Sequence, residues 1–158
     1  MAVQVLWRGR GRVKMGATEH REFRMARFLL LMNYGATLDC DIPMHEWARE
    51  DVDRHITFQH DLGRELTERG ELVDAQGVAG PEAAKIVTYK GDGAPVVDSG
   101  PFPERREFLA GYWLVDATPE RALEIAAKAS AAPGPGGRPL GQPIEVREIM
   151  GAPDTSEL

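Results

Sequence analysis

The order of the elements, the spacing of apolar residues within them and the glycines and prolines between them predict an α+β domain. The order is strand, long helix, strand, hairpin, strand, helix, strand. It makes two β-α-β halves with an insertion between them, a ferredoxin-like split βαβ with an inserted hairpin. In that architecture two helices cover one face of an antiparallel sheet and leave the other open. The strand at 108–116 is apolar on both of its alternating sets, so neither face suits water. A second copy of the sheet is therefore expected over the open face, giving a dimeric α+β barrel.

The first strand is read at 24–33, a nearly continuous apolar run around Phe28-Leu29-Leu30-Leu31-Met32 that ends at Asn33-Tyr34-Gly35. A long helix is expected from about His45 to Arg69, with Gly70 as its C′ residue. Leu72 to Gln76 reads as the second strand. The hairpin takes Lys85 to Lys90 as one arm, Gly91-Asp92-Gly93 as the turn and Pro95 to Asp98 as the other arm. Pro95 fits a strand start or an edge, because it cannot donate to a ladder. In the strand at 108–116, Phe108, Ala110, Tyr112 and Leu114 alternate with Leu109, Gly111, Trp113 and Val115. Thr118-Pro119-Glu120 opens the second helix with an N-cap, a proline at the first helical position and an acid in the first turn. That helix cannot pass Pro133-Gly134-Pro135-Gly136-Gly137. Ile144 to Ile149 is the last strand.

A chain of 158 residues suits one domain, here 25–150, with a basic segment at 1–24 and a short tail at 151–158. Hydrophobic residues at 42% and charged residues at 28% place it among ordinary globular proteins. No apolar run is long enough to span a bilayer, and Arg8, Arg10, Arg12 and Lys14 interrupt any secretory core at the N-terminus, so a cytoplasmic location is expected. The lone Cys40 cannot form an internal disulfide, and its neighbours Asp39 and Asp41 favour the thiol over the reactive thiolate. Residues 1–27 carry a net charge of +5, which leaves −11 of the total −6 for the rest. So acidic a body argues against a nucleic-acid surface, since phosphate neutralisation supplies most of that affinity. The Gly-rich basic segment reads as a disordered tail or a misplaced start, with Met25 opening the first strand.

The run Asp98-Ser99-Gly100-Pro101-Phe102, followed by Glu104-Arg105-Arg106-Glu107 and Gly111-Tyr112-Trp113, resembles the signature of the YCII-related proteins. It is closest to the branch named for an Asp-Gly-Pro-Phe motif. Ser99 is the departure: it either inserts after Asp98 or takes the usual aspartate position. Further matches at Glu71-Leu72-Val73, Ser130-Ala131-Ala132-Pro133 with the glycines after it, and Ile144-Glu145-Val146-Arg147 extend the resemblance over about 28–150. The resemblance implies a dimeric ferredoxin-like fold and names no substrate. It also implies a histidine on the long helix and an aspartate near the following strand as an acid–base pair. Relatives of this branch are often encoded beside extracytoplasmic-function sigma factors, which implies a sigma factor as an alternative partner.

Helical geometry places His55 and Gln59 near the centre of the inward arc of the long helix, where each needs a partner or a cleft. His60 falls at the solvent margin. His55 fits the expected acid–base histidine by face and His60 by its distance to Gly70, with Asp74 the nearest carboxylate and Asp98 next. A carboxylate would orient the imidazole and raise its proton affinity. The alternative is that His55 donates to a backbone carbonyl in the core. The stiff Gly100-Pro101-Phe102-Pro103 turn could project Asp98, Glu104 and Arg105 into a cleft mouth as ligand contacts, or simply brace a rim. No P-loop, dinucleotide fingerprint, zinc spacing or nucleophile elbow is present, and His55 and His60 point about 140° apart, so neither metal nor cofactor is expected. Two functions follow. One is proton-transfer chemistry on a small polar or aromatic molecule, with His55, Asp74 or His60 catalytic and Gln59, Asp98, Glu104 and Arg105 binding. The other is a non-catalytic regulatory module that docks on a sigma factor through its acidic body.

Overall fold

The computed structural model describes residues 25–34, 42–91, 93–102, 104 and 107–151. Strand β1 (Ala26–Tyr34) leads through a 3-10 turn at Met44–Glu46 into helix α1 (Arg49–Glu68) and then strand β2 (Leu72–Gly77). Strands β3 (Lys85–Thr88) and β4 (Val96–Ser99) follow, then β5 (Phe108–Ala117), helix α2 (Pro119–Ser130) and β6 (Ile144–Glu148). The four long-range strands form one antiparallel sheet in the order β2-β5-β1-β6, and β3 and β4 pair as a separate two-stranded sheet. The protein is thus a mixed α+β fold, with the element order that the sequence predicts. Among the described residues, no helix is long and apolar enough to cross a membrane.

The register assigns each side chain to a face. Phe28 lies opposite Val115 and Leu30 opposite Trp113, and these four are buried with Leu62 and Leu66 of α1 and Ile125, Ala126 and Ala129 of α2. Burying a side chain of leucine size contributes roughly 1.5–3 kcal/mol, so this layer is the main source of stability. On the other face Leu29 lies opposite Leu114 and Leu31 opposite Tyr112, and all four are half-buried. Among the described residues no helix packs there. The reading of β5 as apolar on both faces therefore divides into a face under the helices and a bare face.

Local chemistry fixes the ends of the helices. Thr118 caps α2 by accepting a hydrogen bond from the Arg121 amide at 3.2 Å, with Pro119 next to it. At the end of α1, Gly70 has φ +68°, and Glu71 N–H donates to Leu66 O while Gly70 N–H donates to Thr67 O, the two bonds of a Schellman motif. Arg121 then grips the Glu71 carboxylate with two bonds of 2.9 and 3.0 Å, while Lys128 bonds Glu65. These pairs tie α2 to the end of α1 and the start of β2.

The start of α1 departs from the sequence reading. The helix begins at Arg49 rather than near His45, because Ala48 is extended (φ −59°, ψ 142°) and Trp47 turns back so that its indole N–H donates to Ile42 O at 2.8 Å. His45 falls in the preceding 3-10 turn. In the hairpin, Gly91 and Gly93 both have positive φ, as the expected turn requires, while Asp92 lies outside the described residues.

Candidate functional site

A glycine in the middle of α1 begins the site. At Gly63 a Cβ would meet nothing within 4 Å, so the helix stands off from what faces it. Across the gap β2 and β5 present Ala75, Gly77 and Gly111, and small residues on both walls leave a cleft of about 650 Å³. Gly111 is required there for a second reason: a Cβ would lie 2.8 Å from the Gln76 carbonyl oxygen. Met32, Met44, Ile56 and Trp113 make the walls apolar, and His55, Gln59 and His60 supply polar side chains. The volume is in the range of small-molecule sites.

His55 is 5% exposed and bonded at both ring nitrogens. Nδ1 lies 2.9 Å from Pro133 O, and Nε2 lies 3.3 Å from the side-chain nitrogen of Gln59. A carbonyl oxygen only accepts, so Nδ1 carries the proton and donates. Nε2 is then a lone pair on the cleft side, accepting from the Gln59 amide. Trp47 meets the imidazole edge-on, with ring centroids 5.6 Å apart, and limits its tilt. Gln59, one turn further along α1, and the exposed His60 border the same cleft. The structure thus brings His55, Gln59 and His60 together.

It does not bring Asp74 to His55. Leu72 lies opposite Val115 on the helix side, and strict alternation would put Asp74 on that side too. A bulge at Val73 shifts the register, so Asp74 lies opposite Leu114 on the bare face. There it accepts from the Tyr112 hydroxyl at 2.7 Å and from the Gln76 side-chain amide at 3.0 Å. Those two bonds hold the carboxyl below its ordinary range, Tyr112 contributing most, and the carboxylate in turn pushes the Tyr112 phenol up. Asp98, on β4, and Glu104 are exposed and do not border the cleft. Arg105 lies outside the described residues, as do Cys40, the segment at 1–24 and the last residues of the tail.

The loop at 133–137, which the sequence marks as a helix stop and a family match, turns out to hold the site's histidine. Its backbone is closed on itself by Gly134 N–H to Arg138 O at 2.7 Å and Gly137 N–H to Gly134 O at 2.9 Å. Gly136 and Gly137 take φ of +66° and +74°, which explains the glycine pair. Pro133 supplies the carbonyl for His55, and the Gly136 N–H reaches the carboxylate of Asp51, which Arg54 also bonds at 2.6 Å. The Gly136 amide above all, and Arg54 after it, hold the Asp51 carboxyl below its ordinary range. Asp51, one turn before His55 on the same helix face, was the legible signal for this contact: an acid at the i−4 position of an inward histidine.

Among the described residues, no group of three or more His, Cys, Asp or Glu side chains is placed to hold a metal ion. A family model described as the YCII-related domain matches residues 28–150. Among curated proteins, none matches the chain.

Proposed function

The chain belongs to the YCII-related family, and from that premise we propose that it binds a small, weakly acidic molecule in the cleft between α1 and the sheet. His55 is the group that exchanges a proton with it. The observation that carries this reading is the bond from Nδ1 to Pro133 O, which leaves the Nε2 lone pair on the cleft side. A ligand O–H or N–H would replace the Gln59 amide at Nε2, whose lone pair accepts the proton. The freed Gln59 would then hydrogen-bond the ligand beside it. Met32, Ile56 and Trp113 favour a ligand with an apolar or aromatic body.

The same proposal includes the oligomer. The all-antiparallel order β2-β5-β1-β6, with both helices on one face, supports a ferredoxin-like reading of the sheet. The bare-face stripe of Leu29, Leu31, Tyr112 and Leu114 supports a second copy as its cover, in a dimeric barrel.

A thermal-shift screen of phenols, enols and heteroaromatic N–H compounds tests the site. A ligand at a hundred times its Kd stabilises the native state by about 2.7 kcal/mol. The shift is expected in the unaltered protein and lost in His55→Ala, and an equal shift in both would exclude His55 as the contact.

A further inference from the structure

We propose that Asp51 is a positioning residue, acting through the loop at 133–137 to hold His55 in the single tautomer whose Nε2 lone pair faces the cleft. Among the described residues Asp51 and His55 are the two buried polar or charged side chains, at 6% and 5% exposure. A carboxylate is withdrawn from water only where hydrogen bonds and opposite charge compensate it. Asp51 stands in the first turn of α1, after an N-cap residue, Ala48, that makes no side-chain cap bond. Its hydrogen-bond partner is the Arg54 guanidinium at 2.6 Å, and the backbone N–H of Gly136 faces the carboxylate from the loop.

Asp51 and His55 are four positions apart, so the two side chains leave the same face of α1 one turn apart. Both end on the same loop, Asp51 at Gly136 and His55 at Pro133. The segment between these anchors is short and internally bonded, so fixing Gly136 fixes the Pro133 carbonyl. Arg54 completes the clamp, with its Nη1 3.2 Å from where a Gly137 Cβ would stand. The direction of the Pro133 carbonyl then decides which ring nitrogen carries the proton. Without the clamp the segment is left to the bond from Leu140 N–H to Ala132 O and the bridge between Pro133 and Pro139, and the carbonyl can shift off the ring; among the described residues no other group bonds Nδ1.

This inference rests on the reading of His55 as the proton-exchanging group, but its test needs no ligand. Long-range nitrogen–proton spectra of uniformly 15N-labelled protein at neutral pH report the His55 tautomer directly. The unaltered protein is expected to show a protonated Nδ1 and a bare Nε2. Asp51→Ala is expected to lose this single pattern to a mixture, and Asp51→Asn, whose amide oxygen still accepts from Gly136, to restore most of it. Glu65→Gln removes the carboxylate that Lys128 and Arg121 share at the far end of α1, and it should lower stability while leaving the His55 pattern unchanged. Should Asp51→Ala not fold, Gly136→Val displaces the loop amide instead, because a β-branched residue rarely adopts φ +66°. It should give the same mixture. A folded Asp51→Ala or Gly136→Val with the native pattern, or a tautomer mixture in the unaltered protein, would overturn the assignment. A single native tautomer that depends on Asp51, in a protein whose cleft takes no ligand, would leave this inference standing and remove the proposed function alone.

Discussion

Asp74 and Tyr112 illustrate how far a single residue can be read from its neighbours. An aspartate just after a helix–strand junction is a natural partner for a histidine on that helix, yet one inserted residue, Val73, turns its carboxylate to the other side of the sheet. Tyr112 receives it there at 2.7 Å. Because the folded carboxyl titrates below the ordinary aspartate value of about 3.9, its contribution is present above that value and is lost as pH falls through the lower folded one. For Tyr112 the sign is reversed: its folded pKa is raised, so its contribution persists until alkaline pH passes through the raised value. Tyr112→Phe is accordingly expected to move the Asp74 titration up towards its ordinary value, as read from side-chain carboxyl 13C shifts. An unmoved midpoint would show that the phenol is not the main cause. His55, by contrast, was legible as an inward residue from helical spacing alone. A backbone carbonyl was one of the partners its inward position allowed, and the structure shows one, but which carbonyl was not legible, because one from 78 residues away leaves no signature in side-chain identity.

At the scale of elements, α1 shows a local preference set aside for a tertiary purpose. A glycine inside a helix costs about 0.5–1 kcal/mol relative to alanine, and nothing within 4 Å of a Cβ at Gly63 demands its absence. The residue borders the cleft, so the small side chain keeps that space open. Gly63→Ala is expected to raise the stability of the protein by about 0.5–1 kcal/mol in denaturant unfolding, with the native fold unchanged. Gly63→Phe should fill the cleft and abolish the thermal shift of any ligand that His55→Ala abolishes. A loss of stability in the alanine variant would mean that the glycine serves the backbone rather than the cleft. The ends of both helices were readable in advance where punctuation is strong: Thr118-Pro119, Gly70 and the Pro-Gly run at 133–137 all stand where the chain turns. The start of α1 was not, since no capping side chain marks it and the decisive contact is the Trp47 indole on Ile42 O.

For the whole molecule, the bare face of the sheet is an open surface to explain. Leu31 lies there between Tyr112 and Glu145. In a lone chain an arginine at 31 would sit beside Glu145 and be tolerated, whereas in the proposed dimer it would be buried against a second sheet. Leu31→Arg is thus expected to halve the mass seen by light scattering while the far-ultraviolet dichroism stays native. A monomeric unaltered protein would dismiss the second copy as the cover. By itself the sequence determined the α+β class, the order of the elements, the apolar character of β1 and β5 on both faces, the family signature and the inward face of His55. Each of these follows from periodicity or from residues adjacent in the chain. Only the tertiary structure decided that Asp74 turns away from the histidine, where the cleft opens and which carbonyl bonds the imidazole. Those depend on register and on contacts between distant segments: a single bulge sends Asp74 away, and a glycine loop folded back on α1 brings Pro133 and Gly136 to His55 and Asp51.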